Sequence, residues 1–184
     1  MEKEILQLFS NLTERDQATQ YESYEKLLKI MEEPVDWTYG VWEQLIQALT
    51  YSNHHSRARA AQILCALAAK SDPEERVLED FLKIWAVTYD DKTTTARLTL
   101  QAIWKIGLAG PVQRDLVVSY LAKRFQTCLD EKHPTLIRYD IIVSFKNLYV
   151  ELHDPKLLEI AYRLIDEEQE IQSKRKYKSA IRSK

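Results

Sequence analysis

Glycine is nearly absent from this chain, with Gly40, Gly107 and Gly110 the only three among 184 residues. Tight β-hairpins need residues that accept a positive φ, and runs of alternating β-branched residues are also scarce, so a sheet is not expected. The same scarcity excludes a glycine-rich phosphate cradle, and neither a GxxxxGK[ST] loop nor a GxSxG elbow occurs. Cysteine is limited to Cys65 and Cys128. Each lies in an apolar helical pattern without a histidine or second cysteine at metal-ligand spacing, so both read as reduced core residues. Long hydrophobic runs are missing as well, since no window approaches the roughly 20 apolar residues that span a bilayer. Residues 1–12 carry acids where a signal peptide has an uninterrupted apolar core, and the expected location is cytoplasmic. Charge of one sign is lacking too: 26 basic side chains stand against 28 acidic ones, a net charge of -2 that nominates no partner.

What the sequence does contain is helical periodicity. Apolar residues recur at i, i+3, i+4 and i+7, which puts them on one stripe of a helix with 3.6 residues per turn. That stripe returns at Ile5, Trp42, Leu78, Val118 and Leu157, separated by 37, 36, 40 and 39 residues. A second series begins at Tyr21, Ala60, Leu100 and Ile141, separated by 39, 40 and 41 residues. Two interleaved stripes with one common period predict a helix, turn, helix repeat whose apolar surface only the next pair can cover. The expected fold is all-α, an α-α superhelix (solenoid) of about five antiparallel helix pairs over residues 1–172. Leu64, Leu82, Ile103 and Leu121, at the centres of their stripes, are expected in the core, as are Trp42, Trp85 and Trp104.

The chain's punctuation agrees with this division. Asp72-Pro73-Glu74-Glu75 predicts a helix start with a cap, a first-turn proline and an acid at N3. Asp154-Pro155 repeats the cap and proline, Thr13 and Asn53 are further candidate caps, and Gly110-Pro111 is a stop followed by a restart. Turns are expected near residues 13–16, 34–37, 51–54, 71–73, 90–93, 110–112, 131–134 and 153–155.

A two-helix period of this length resembles the HEAT and armadillo repeat families more than the 34-residue tetratricopeptide repeat. HEAT repeats often place an aspartate at the turn and a basic residue six positions on in the second helix. Asp91 and Arg97 match that spacing, Asn53 and Arg59 approach it, Lys132 and Arg138 keep only the arginine, and Asp16 is followed instead by Glu22. The resemblance implies second helices lining a concave face. Arg59, Arg97 and Arg138 would then form a row, either donating to carboxylates or phosphates of a partner or bonding acids of their own array.

The remaining candidates are fewer. His54 and His55 are adjacent and expected to diverge, while His133 and His153 fall in turns, so no metal constellation is visible and no cofactor is expected. Asp90-Asp91 and Asp166-Glu167-Glu168 read as caps and solvated acids, and no catalytic set emerges. Trp37 lies off the stripes, as an exposed anchor for a partner or as a staple for its turn. Residues 173–184 carry six basic side chains and no acid, as a basic tail or the end of the last helix, leaving 20 basic against 28 acidic residues in 1–172.

Two functions follow as expectations. One is a non-enzymatic scaffold that binds a protein or peptide partner on its second-helix face, with Arg59, Arg97, Arg138 and Trp37 as binding residues. The other is nucleic-acid binding, similar to the HEAT-like alkylpurine DNA glycosylases, which bind DNA along a basic concave surface bearing aromatic residues. The charge of -8 over residues 1–172 opposes it, because neutralised phosphates supply most duplex affinity.

Overall fold

In the computed structural model, which describes residues 3–182, every regular element is helical. The ten α-helices are α1 (Lys3–Asn11), α2 (Gln17–Ile30), α3 (Thr38–Ala48), α4 (His54–Lys70), α5 (Arg76–Val87), α6 (Thr93–Ala102), α7 (Pro111–Thr127), α8 (Pro134–Leu152), α9 (Pro155–Glu167) and α10 (Ile171–Arg182). Two 3-10 segments, Ile103–Leu108 and Cys128–Asp130, follow α6 and α7. No helix among the described residues is long and apolar enough to cross a membrane. The chain divides into two units, Met1–Thr99 and Leu100–Lys184.

In the first unit α1 packs on α2 and α3 on α4, while α2 also meets α4, and α5 meets both α3 and α4. In the second, Ile103–Leu108 packs on α7 and α8, α7 meets α8 and α9, and α10 lies against α8 and α9. Within each unit the helices divide their labour. α1 buries one stripe (Ile5, Leu8, Phe9), as do α5 (Val77, Phe81, Ile84, Trp85) and α9 (Leu157, Ala161, Leu164, Ile165). α4 and α8 are buried around most of their circumference, α4 through Ala58, Ala61, Ile63, Leu64, Leu67 and Ala68, and α8 through Ile137, Ile141, Ile142, Phe145 and Leu148. A helix that is apolar on most sides belongs inside a layered packing.

Leu64, Ile103 and Leu121 are fully buried, as expected. Leu82 is not: it is 61% exposed. α5 turns its Val77, Phe81 and Ile84 arc inward, and the next residue after Phe81 falls about 100° round the helix, outside that arc. Tyr21 is likewise 60% exposed: α2 turns Ser23, Tyr24 and Leu27 inward, so of the stripe starting at Tyr21 Tyr24 is buried while Tyr21 itself faces outward. Trp42 and Trp85 are core, whereas Trp104 is half-buried.

The turns fall where the breakers lie, although two caps differ. Asn53 caps α4 by accepting from the His55 and Ser56 amides, and Asp154 caps α9 by accepting from Lys156. The start of α2 is capped by Asp16, which accepts from the Thr19 amide at 2.9 Å, and Thr13 instead donates to the Ser10 carbonyl. α5 starts at Arg76 behind a left-handed Glu75 (φ 54°), later than the Asp72-Pro73 pair predicts. Asp72 still satisfies the Arg76 and Val77 amides, at 3.0 and 2.9 Å, from outside the helix.

A recurrent set of hydrogen bonds joins side chains one sequence period apart. In the first unit Tyr24 Oη donates to Gln62 Oε1 and Trp42 Nε1 to Asp80 Oδ2, both 38 residues away. In the second, Gln101 donates to Asp140, 39 residues on, and Gln126 to Glu167, 41 residues on.

Residues 171–182 form a helix of their own, α10, after a break at 168–170. Its Tyr177 is fully buried, meets the Phe125 ring edge-on at 6.1 Å and donates to the Thr135 carbonyl at 3.2 Å.

Candidate functional site

Arg59 lies at the wall of a wide groove in the first unit. The turn joining α1 to α2 and the first two turns of α4 border a groove of about 730 Å³, and the caps at Asp16 and Asn53 fix where those helices start. Arg59 sits half-buried at its wall and donates Nη1 to Gln20 Oε1 at 2.5 Å. Gln20 in turn donates to the Glu14 carbonyl, which ties the turn to α2. Burial pulls the Arg59 guanidinium below its ordinary pKa; the Tyr24 hydroxyl works weakly the other way. No carboxylate among the described residues pairs with Arg59.

The groove also holds Arg15, Glu14, His55 and the exposed rings of Tyr21 and Tyr51. Burial pushes the His55 imidazole down, helped by the neighbouring His54 and by Arg59. The two histidine rings do not diverge, since their centroids lie 4.0 Å apart in the first turn of α4. Beside the groove, and sharing Leu12, Thr13, Tyr51, Ser56 and Arg59 with it, is a smaller pocket of about 50 Å³ floored by Phe9, Leu45, Ala48 and Ala60.

The other expected site residues lie elsewhere. Arg97 is half-buried on α6 and is not free of partners. Arg138, in the second unit, is 6% exposed and engaged in the core. Its Nη1 donates to Glu168 Oε2 at 2.8 Å and its Nε to the Phe125 carbonyl at 2.9 Å, and the guanidinium lies 4.5 Å from the centre of the Phe125 ring. Burial pulls Arg138 down, but Glu168 outweighs it and holds the guanidinium above its usual value. Trp37 meets Phe9 edge-on at 5.6 Å, the geometry of a staple between the turn before α3 and helix α1.

Arg57 is the arginine that spacing alone missed. Its Nε and Nη2 grip the two carboxylate oxygens of Asp90 at 2.6 and 2.9 Å, Nη2 also reaches Asp91 at 3.4 Å, and Nη1 donates to the Tyr51 and Ser52 carbonyls. The turn aspartate therefore meets an arginine of the preceding pair as well as standing six residues before Arg97. The signal available in the sequence was Arg57 itself, two residues before Arg59 and so two short of the six-residue spacing from Asn53.

The basic C-terminal residues are partly spent within the second unit. Lys174 and Lys178 reach Asp166 at 3.2 and 3.5 Å, and Lys176 lies 4.8 Å from the centre of the Tyr139 ring. Among the described residues no three His, Cys, Asp or Glu side chains gather to hold a metal ion.

No protein-family model matches the chain, and no curated protein matches it. Among solved structures, the crystal structure of an engineered protein aligns with 97% of this chain at 18% identity and a TM-score of 0.44. The aligned part is 51% of that protein, so this chain spans about half its length. A likeness of that degree carries no argument about fold or function.

Proposed function

We propose that this chain is a non-enzymatic helical-repeat scaffold that binds a protein or peptide partner, its helix pairs stacked as an α-α superhelix resembling HEAT repeats. The hydrogen bonds between residues 38 to 41 apart support the stacking, because equivalent positions of consecutive repeats are neighbours in such an array. The observation that carries the binding role is Arg59: a half-buried guanidinium without an acid partner, beside an open groove with two exposed tyrosines. Tyrosine and arginine are, with tryptophan, the side chains enriched where partners bind tightly. Trp37 and Arg138 serve as supports of their own units in this reading.

Nucleic-acid binding draws less support. Three cations of the basic C-terminal helix already face Asp166 or Tyr139.

Affinity capture from native extract, with and without nuclease, followed by cross-link mapping tests the scaffold. The expected result is a protein partner that survives nuclease and cross-links to α2 and the start of α4. Loss of every partner on nuclease treatment would transfer the role to nucleic acid.

A further inference from the structure

We propose that the groove beside Arg59 recognises an acidic peptide segment, with an Asp or Glu carboxylate on the Arg59 guanidinium and a small apolar side chain next to it in the adjoining pocket. The inference rests on the scaffold reading and names the chemistry of its partner.

Charge balance selects a carboxylate. Arg15 and Arg59 are the groove's arginines and Glu14 its carboxylate, while desolvation, His54 and Arg59 together hold the His55 imidazole below its ordinary value and so disfavour a further cation there. The surplus is one positive charge, which a single carboxylate neutralises. A phosphate dianion would leave a net negative charge beside Glu14. Arg59 spends one donor on Gln20, and its remaining N–H groups have no acid to serve. A half-buried cation without a counter-charge is costly to desolvate, so a bound carboxylate recovers energy that the unliganded protein lacks. The pocket floored by Phe9, Leu45, Ala48 and Ala60 adds apolar area next to that charge. Its small volume suits a side chain of alanine or valine size better than a ring.

The test is selection of a phage-displayed random dodecapeptide library on the full chain, followed by affinity measurement of the selected peptides on wild type, Arg59→Gln and Arg59→Lys. Selected sequences should converge on an Asp or Glu beside a small apolar residue. Their affinity should fall about tenfold or more in Arg59→Gln, the loss of a charge-assisted hydrogen bond, and by less in Arg59→Lys, which keeps the charge without the fork. Circular dichroism checks that each variant is folded, and Arg59→Lys supplies the comparison should Arg59→Gln unfold. Peptides without a carboxylate preference, or equal affinity in the Arg59 variants, would overturn the inference while leaving the scaffold standing. A labelled duplex DNA that displaces the peptides and loses affinity in Arg59→Gln would overturn it in favour of a polyanion. No selected peptide at all would overturn the scaffold reading itself.

Discussion

Trp42 and Asp80 are joined by an indole N–H donated to a carboxylate at 2.8 Å, between two buried side chains 38 residues apart. Asp80 also accepts from Lys83 at 2.6 Å, so its charge is shared with a cation at the surface. Through this bond α3 and α5 are fixed side by side by polar geometry as well as by packing.

Replacing Asp80 with alanine strands the Trp42 N–H in the core and is expected to cost about 1–3 kcal/mol. Asp80→Asn keeps an acceptor and should cost less. Urea unfolding followed by tryptophan fluorescence measures both, and equal midpoints for wild type and Asp80→Ala would show that the bond contributes nothing.

Phe81 and Leu82 are adjacent, yet only Phe81 is buried. Phe81→Ala should cost about 3–5 kcal/mol through lost burial and the cavity left behind. Leu82→Ala should lie within about 0.5 kcal/mol of wild type, as surface substitutions usually do. Reversed denaturation midpoints would mean that α5 is rotated relative to this description.

The all-helical class, the turns and most of the core were legible in the sequence because burial imposes the 3.6-residue period directly. The Leu82 error has the same origin: α5 carries apolar residues on more than one side, and the period alone does not say which side meets α3 and α4. Asp72 was readable as a helix cap, but not the intervening left-handed Glu75, whose conformation depends on the closed turn from Asp72 to Glu75. Arg138 and Arg59 stand at similar places in the pattern, and their difference was hidden. Glu168 reaches Arg138 from 30 residues further on, whereas Arg59 finds only Gln20, 39 residues back.

Arg138 is buried and its partner Glu168 half-buried, so removing Glu168 leaves the guanidinium's charge uncompensated, and removing Arg138 strands the carboxylate and the Phe125 carbonyl. Arg138→Ala is expected to cost about 3–5 kcal/mol. Burial alone would raise the Glu168 carboxyl, but the Glu170 amide and the Arg138 guanidinium outweigh it and hold the group below the usual carboxylate range. A carboxylate depressed in the folded state contributes stability that is complete above its unfolded pKa of about 4.3 and is lost as pH falls through the folded value. Acid titration of the unfolding free energy should show this loss below about pH 4.3. Glu168→Gln should flatten that part of the curve, and an unchanged slope would remove Glu168 from it.

Tyr177 anchors α10, and burial pushes its hydroxyl up to about 12. Tyr177→Phe should cost about 0.5–1.5 kcal/mol by losing the bond to the Thr135 carbonyl, whereas Tyr177→Ala should release the helix. Hydrogen exchange reads the difference: amides of residues 171–182 should keep protection in the first variant and lose it selectively in the second. Uniform loss of protection throughout the chain would instead show that α10 unfolds together with everything it touches.

α4 has a consequence for how the chain can change over generations. Ala58, Ala60, Ala61, Ala66 and Ala68 are all buried there, and α2, α3 and α5 pack on the same helix. An added methylene on one of these alanines must be absorbed by more than one neighbour in a close-packed interior. Acceptable variation is therefore steered away from α4 toward the open sides of α1 and α5, so drift can redraw the exterior while the spacing between helices stays put.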